Sequence, residues 1–277
     1  MTDTTVWPDL DSPYALQPAQ IQAFRRDGCI KLAQVLSPAT LAHFGGEITQ
    51  LTLLLNTESR PLFERGTYDR AFLQVMNLWE RSAVVARFVM GQRLARIAAE
   101  LLGVRGVRLY HDQSLYKEPG GGITPAHADQ YYWPLASDRT VTAWIPLQAV
   151  PVEMGPLGFY AGSQRVAFGR ELGISDESEA CISENMARHG LAFEVGAFEL
   201  GDVSFHMGWT FHKAGPNTST QPRSVMTVIY MDADMRVLPA LNAVQANDRD
   251  QWCPGVREGE AIATRKNPVI WDRPSTA

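Results

Sequence analysis

"TPAHADQYYW", residues 124–133, sets a histidine and an aspartate two positions apart and follows them with three aromatic residues. Read as a polar loop, the stretch does no more than close over an apolar patch. Read as an extended segment, it projects His127 and Asp129 to the same face. The pair can then hold a metal, with the aromatics walling a pocket. A bare HxD is a weak signal, so the choice rests on what surrounds it.

The surroundings are β-rich. "VRLYHDQSLYKE", "TVTAWIPLQAV", "GPLGFYAGSQR", "AFEVGAFELGDVSFH" and "RSVMTVIYMDA" are short apolar runs separated by Gly and Pro. Such spacing predicts a β-sandwich or barrel rather than βαβ units. "EPGGGITP" (118–125) reads as a flexible loop leading into the opening stretch. Upstream the pattern is helical. Ile21, Phe24 and Arg25 are at helical spacing, and Gly28 stands where that helix would end. "CIKLAQVL" reads as a short strand. Ser37 and Pro38 are a start signal for one long helix reaching Leu55, and "SAVVARFVMGQRLARIAAELLG" predicts a further helix ending at Gly103. The expected organisation is a single domain over 1–277, with a mobile tail (1–17), mainly helical support (18–103), a barrel core (104–235) and an irregular C-terminal segment (236–277).

Composition narrows the function classes. A hydrophobic share of 45% and a charged share of 20% suit a folded globular chain. A formal charge of −5 without a dense Lys/Arg run argues against a nucleic-acid surface. Cys29, Cys181 and Cys253 are odd in number and lack CxxC spacing, which excludes a disulfide framework or thiolate zinc site and suits a reducing compartment. The N-terminus lacks a signal-peptide pattern, and no window approaches the ~18 apolar residues of a membrane span. The expectation is a soluble, cytoplasmic protein acting on a small molecule, with no nucleic-acid or membrane partner. The glycines of "EMGPLGFYAGSQR" (153–165) are not a phosphate loop, because no Lys-Ser/Thr follows them.

Of the six histidines, His43 lies inside the long predicted helix, His189 in a polar stretch, and His111 in a strand where a core role is the simple reading. His127, His206 and His212 remain. Two histidines and a carboxylate occupy one face of an octahedral Fe(II) and leave three positions open. Downstream of His127-Ala-Asp129 comes His212-Lys-Ala-Gly-Pro-Asn217, then Arg223 at the start of a strand. A buried arginine facing a metal pocket is costly unless it meets an anion, and its planar fork matches a carboxylate. This combination is what a 2-oxoglutarate-dependent oxygenase requires.

With "QIQAFRRDGCIKLAQVLSP", "LYHDQSLYKEPGGG", "HADQYYWP", "TVTAWIPLQAVPVEMGPLGFYAGSQR" and the His212 to Arg223 segment, the chain resembles the phytanoyl-CoA dioxygenase family along nearly its whole length. The resemblance implies a mainly β fold with flanking helices, a double-stranded β-helix (jelly-roll, cupin-like barrel). It implies Fe(II), with 2-oxoglutarate and O2 as co-substrates, and release of succinate and CO2. His127, Asp129 and His212 become the iron ligands, and Arg223 the partner of the distal 2-oxoglutarate carboxylate. Gln113 and Lys117 fall where the family places polar contacts to the co-substrate, and Thr142 and Trp144 alternate on one face to line the same pocket. The family spacing favours His212 over His206 as ligand. His206 is left as a substrate-pocket residue or a hydrogen-bonded histidine at the barrel end. Strand alternation makes Tyr131 the pocket-lining member of the aromatic trio, with Tyr132 and Trp133 undecided.

One position departs from the family. Many relatives carry a hydroxyl two residues after the second histidine, where this chain has Ala214, so the carboxylate clamp is expected to lean on Arg223 and on Thr142 or Tyr116. Hydroxylation of a small or medium metabolite is the default reaction; Asp129 disfavours halogenation. The rival readings are a cupin-type metal barrel with other chemistry, which gives Arg223 no anion to meet, and a non-catalytic binding domain of the same fold.

Overall fold

The computed structural model describes residues 7–274. The helices are α1 (Pro8–Asp11), α2 (Pro18–Asp27), α3 (Pro38–Leu55), α4 (Thr67–Ala71), α5 (Ala83–Val89), α6 (Gln92–Leu102), α7 (Asp176–Arg188) and α8 (Ala243–Trp252). The strands are β1 (Cys29–Leu32), β2 (Leu73–Met76), β3 (Gly106–Lys117), β4 (Thr124–His127), β5 (Thr140–Pro146), β6 (Leu157–Tyr160), β7 (Phe193–Glu194), β8 (Val203–Met207), β9 (His212–Ala214), β10 (Arg223–Asp232) and β11 (Val269–Asp272). The larger sheet runs β1-β8-β5-β10-β3-β11, with β2 also on β3, and the smaller runs β4-β9-β6-β7. All pairings are antiparallel, as a jelly-roll requires.

Alternation along the strands divides the larger sheet into two chemistries. Met226, Val228 and Tyr230 of β10, Val141, Ala143 and Ile145 of β5, and Val203 and Phe205 of β8 pack under the helices. Each fully buried Val, Ile, Met or Phe among them stabilises by about 1.5–3 kcal/mol. The opposite face turns Arg223, Thr227, Thr142, Trp144 and His206 toward the barrel interior. A bulge on β3 resets that alternation: Ile229 pairs with His111 and Tyr230 with Leu109, leaving Tyr110 unpaired. Val107 and Leu109 therefore face the helices, while His111, Gln113 and Leu115 face the interior.

The helical start signals hold. Ser37 caps α3 by accepting from the Thr40 amide at 3.2 Å, and Asp9 in turn accepts from the Ser37 amide at 2.7 Å. Gly28 ends α2 at φ 75°. Three expectations need correction. The predicted helix ending at Gly103 is two helices, broken at Gly91, where a Cβ would lie 3.0 Å from the Leu10 carbonyl oxygen; close approach of α1 outweighs continuation. The 1–17 tail is folded where it is described: α1 buries Leu10, and residues 1–6 lie outside the described residues. The C-terminal segment is not irregular, since it supplies α8 and adds β11 to the sheet.

Gly155 holds the loop before β6 at φ +65°, and a Cβ there would fall 2.2 Å from the Gly215 carbonyl oxygen. Gly155→Ala is expected to destabilise the fold by about 1–3 kcal/mol, read as a lowered thermal-unfolding midpoint.

Candidate metal centre and its cavity

β4 and β9 place His127 directly opposite His212, with ring centres 4.2 Å apart. After His127 the chain leaves the strand for a 3-10 turn, Asp129–Tyr132, which swings the Asp129 carboxylate between the rings. Its Oδ1 lies 3.7 Å from His127 Nε2 and 3.6 Å from His212 Nε2. The donor atoms of the three residues lie within 4.8 Å of one another, so they can hold a single metal ion.

Backbone carbonyls and neighbouring side chains fix this arrangement. His127 Nδ1 donates to the Pro125 carbonyl at 2.7 Å and His212 Nδ1 to the Thr210 carbonyl at 2.9 Å. A carbonyl only accepts, so both rings carry the proton on Nδ1 and present the Nε2 lone pair inward. Burial lowers both imidazoles to about 4, leaving them neutral and ready to ligate. Burial opposes ionisation of Asp129, but the facing His212, the His206 hydrogen bond and His127 outweigh it and hold the carboxyl below its usual range. Asp129 Oδ2 is tied back: Thr142 donates to it at 2.9 Å, and His206 Nε2 lies 3.1 Å away. One carboxylate oxygen is thus anchored while the other faces the metal position. Two nitrogens and one oxygen on one side suit an octahedral Fe(II).

His206 is buried on β8 beside this centre, its ring 4.4 Å from that of His212. It lines the cavity, yet its defined contact is with Asp129. His206→Ala is expected to weaken ferrous-ion affinity about 10–100-fold, the usual effect of losing an orienting partner, read by metal titration of the apo-protein.

The cavity of about 280 Å³ reaches from the triad to Arg223. Arg223 is 2% exposed; Nη1 donates to the Gly155 carbonyl, Nε has no partner, and the guanidinium sits 5.5 Å from the centre of the Trp144 ring. Among the described residues no carboxylate pairs with it, and burial lowers its pKa to about 9. A comparison with known proteins fits this geometry. A profile of the family described as phytanoyl-CoA dioxygenase (PhyH) matches residues 24–225. The chain belongs to the phytanoyl-CoA dioxygenase family. It is a non-haem iron, 2-oxoglutarate-dependent dioxygenase. Ectoine dioxygenase from Streptomyces coelicolor is 21% identical, over 95% of this chain and 90% of that one. The non-heme alpha ketoglutarate dependent carbocyclase SnoK from nogalamycin biosynthesis aligns at TM-score 0.77 and 25% identity, over 94% of this chain and all of that one (100%). The epimerase SnoN, solved with Fe3+, alpha ketoglutarate and nogalamycin RO, aligns at TM-score 0.75 and 26% identity, over 91% and 98% of the two chains.

The other sequence-derived family positions divide. Gln113 lines the cavity and accepts from Gln74 Nε2 at 2.7 Å; Thr142 and Trp144 line it too. Lys117 does not. It is fully buried, but β3 ends there and the ammonium is captured by the Gly122 and Gly215 carbonyls. Burial, with Arg223 beside it, lowers its pKa to about 6. Tyr131 is a correction as well. The 3-10 turn breaks strand alternation, so Tyr132 and Trp133 line the cavity in its place. Neither proposed substitute for the missing hydroxyl is available at Ala214: Thr142 is engaged by Asp129, and Tyr116 lies on the outer face with Leu41 and Leu147.

Sequence reading missed Thr124, which pairs directly with Ala214 across β4 and β9. It lines the cavity, is 5% exposed, and its hydroxyl has no partner. It also missed His111, which faces the cavity rather than the core, and the wall contributed by α8. Thr124 sits inside the opening stretch, but nothing in the linear sequence says which residue it pairs with. Among the described residues, no helix is long and apolar enough to cross a membrane.

Proposed function

We propose that the protein hydroxylates an unactivated C–H bond of a small or medium metabolite, consuming 2-oxoglutarate and O2 and releasing succinate and CO2. Bound iron would supply the oxidation chemistry. The chain would position it through His127, Asp129 and His212, and exclude water with Trp144, Tyr132 and Trp133. The observation carrying this reading is Arg223, a buried guanidinium with no anionic partner among the described residues, in the same cavity as the triad. Leaving it unmet costs several kcal/mol, which a dicarboxylate co-substrate relieves. A metal barrel without a keto acid gives Arg223 no such partner.

Thr124 completes the clamp. Its unpartnered hydroxyl stands across the strand pair from the position where relatives carry theirs, so the same donor reaches the distal carboxylate from the neighbouring strand. Thr124→Val is expected to raise the 2-oxoglutarate dissociation constant about ten-fold, the effect of losing a hydrogen bond to a charged group. Ala214→Ser in that background is expected to restore most of the affinity; no recovery, with folding intact, counts against the shared role.

The test of the main reading is anaerobic addition of Fe(II) and then 2-oxoglutarate to apo-protein, watching for the visible metal-to-ligand charge-transfer band. Tight iron binding without a band would sink it. The likeness to a carbocyclase and an epimerase supports a second outcome, in which C–H cleavage ends in ring closure or inversion. With substrate in hand, 18O2 separates the two, because succinate takes one atom of O2 in either case and only hydroxylation places the other in the substrate-derived product.

A further inference from the structure

Beyond the metal and Arg223, the cavity has a second half walled by α4, β2, the middle of β3 and α8. Its charges are one-sided. Among the described residues lining the cavity, Arg223 is the only Lys or Arg, and Asp248 the only carboxylate besides Asp129. Asp248, on α8, accepts a hydrogen bond from the Tyr110 hydroxyl, and burial pushes its carboxyl up to about 7. Nearby, His111 lines the cavity, and its ring centre lies 5.2 Å from that of Trp252. Gln251 and Gln74 add further hydrogen-bonding groups to the same walls.

An anionic group entering this half would lose its hydration beside a carboxyl and meet no cation in the lining, since Lys266, 5.4 Å from the centre of the Trp252 ring, is not part of it. A hydroxyl or ammonium would find the opposite: an aromatic face, an imidazole ring and an acidic acceptor. We propose that this half is the substrate subsite and that it takes a ring bearing hydroxyl or amino groups and no anionic group, laid against Trp252 with its polar substituents on the His111 imidazole and Asp248. Oxidation of the bound ring rests on the dioxygenase reading; the binding itself does not. α8 begins after the family-matched residues 24–225 end, so the family pattern leaves this wall free to differ from one member to the next.

Three pyranosides sharing one ring serve as probes: methyl glucoside, its 2-amino analogue and methyl glucuronide. Each is added anaerobically to the Fe(II)- and 2-oxoglutarate-loaded protein, with binding read from tryptophan quenching and from the shift of the charge-transfer band. The neutral and amino rings are expected to bind at least ten-fold more tightly than the carboxylate. Asp248→Asn, which keeps an acceptor for Tyr110, is expected to remove the advantage of the amino ring over the neutral one. His111→Phe is expected to weaken both. Equal or tighter binding of the glucuronide, or failure of the neutral and amino rings to bind, overturns the inference. Absence of the charge-transfer band before any sugar is added speaks instead against the co-substrate reading, and quenching then still tests the subsite.

Discussion

Asp129→Ala is expected to lower ferrous-ion affinity on the order of a thousand-fold and to extinguish turnover. The substitution removes the only anionic ligand from a buried site and leaves two neutral imidazoles, so the dication loses its charge partner where water does not replace it. Removing one member of a buried, hydrogen-bonded charge pair costs about 3–5 kcal/mol, which sets that magnitude. The loss goes beyond one ligand, because the Thr142 hydroxyl and His206 both rest on the same carboxylate. Asp129→Asn separates the two contributions. It keeps an acceptor for Thr142 and loses the charge, so a comparable drop in affinity assigns the effect to charge, whereas near-native binding would overturn the triad assignment. Calorimetric titration of apo-protein with Fe(II) under anaerobic conditions reads both variants.

Arg223→Met is expected to split two properties that usually fall together. Affinity for 2-oxoglutarate should drop roughly 30-fold to several thousand-fold, since truncating one side of a buried charge pair costs about 2–5 kcal/mol. The ligand-free protein should become more stable. Arg223 is buried without an anionic partner among the described residues and is pulled down to about 9 by that burial, and replacing a buried charge with an apolar side chain of similar volume is neutral to stabilising by about 1–4 kcal/mol. Arg223→Lys should not rescue binding, because a point charge lacks the two-pronged fork. Thermal unfolding with and without Fe(II) and 2-oxoglutarate reads both halves: the wild type gains stability from the pair, the Met variant starts higher and gains little. A Met variant that is less stable than wild type yet binds 2-oxoglutarate normally would remove Arg223 from the site.

How much of the site and fold is legible in the sequence depends on how local each feature is. His127, Asp129, His212 and Arg223 stand at spacings that few scaffolds can use, and residue type alone tells what each can do. Strand periodicity locates β3, β5 and β10, and capping residues locate the end of α2 and the start of α3. Where the pattern is weak the reading fails. α8 is a polar helix with few buried residues, Gln245 and Trp252, so it leaves no amphipathic signature, although it walls the substrate half of the cavity. The split between α5 and α6 likewise depends on α1 arriving beside Gly91, an event between segments far apart in the chain.

The same division runs through the site. The amino-acid sequence by itself determined the chemistry available: two imidazoles, a carboxylate and a guanidinium, on a β-rich scaffold with helices to one side. Those properties belong to residue types and to hydrophobic period, both of which are local. Only the tertiary structure decided which side chains meet. It turned Tyr131 away because a 3-10 turn rotates by about a third of a turn per residue where a strand alternates. It committed Lys117 to backbone carbonyls, brought Thr124 opposite Ala214, and set His111 and Asp248 on the far wall. Strand register, a bulge and helix docking are set by packing across the whole barrel, and no single segment carries that information.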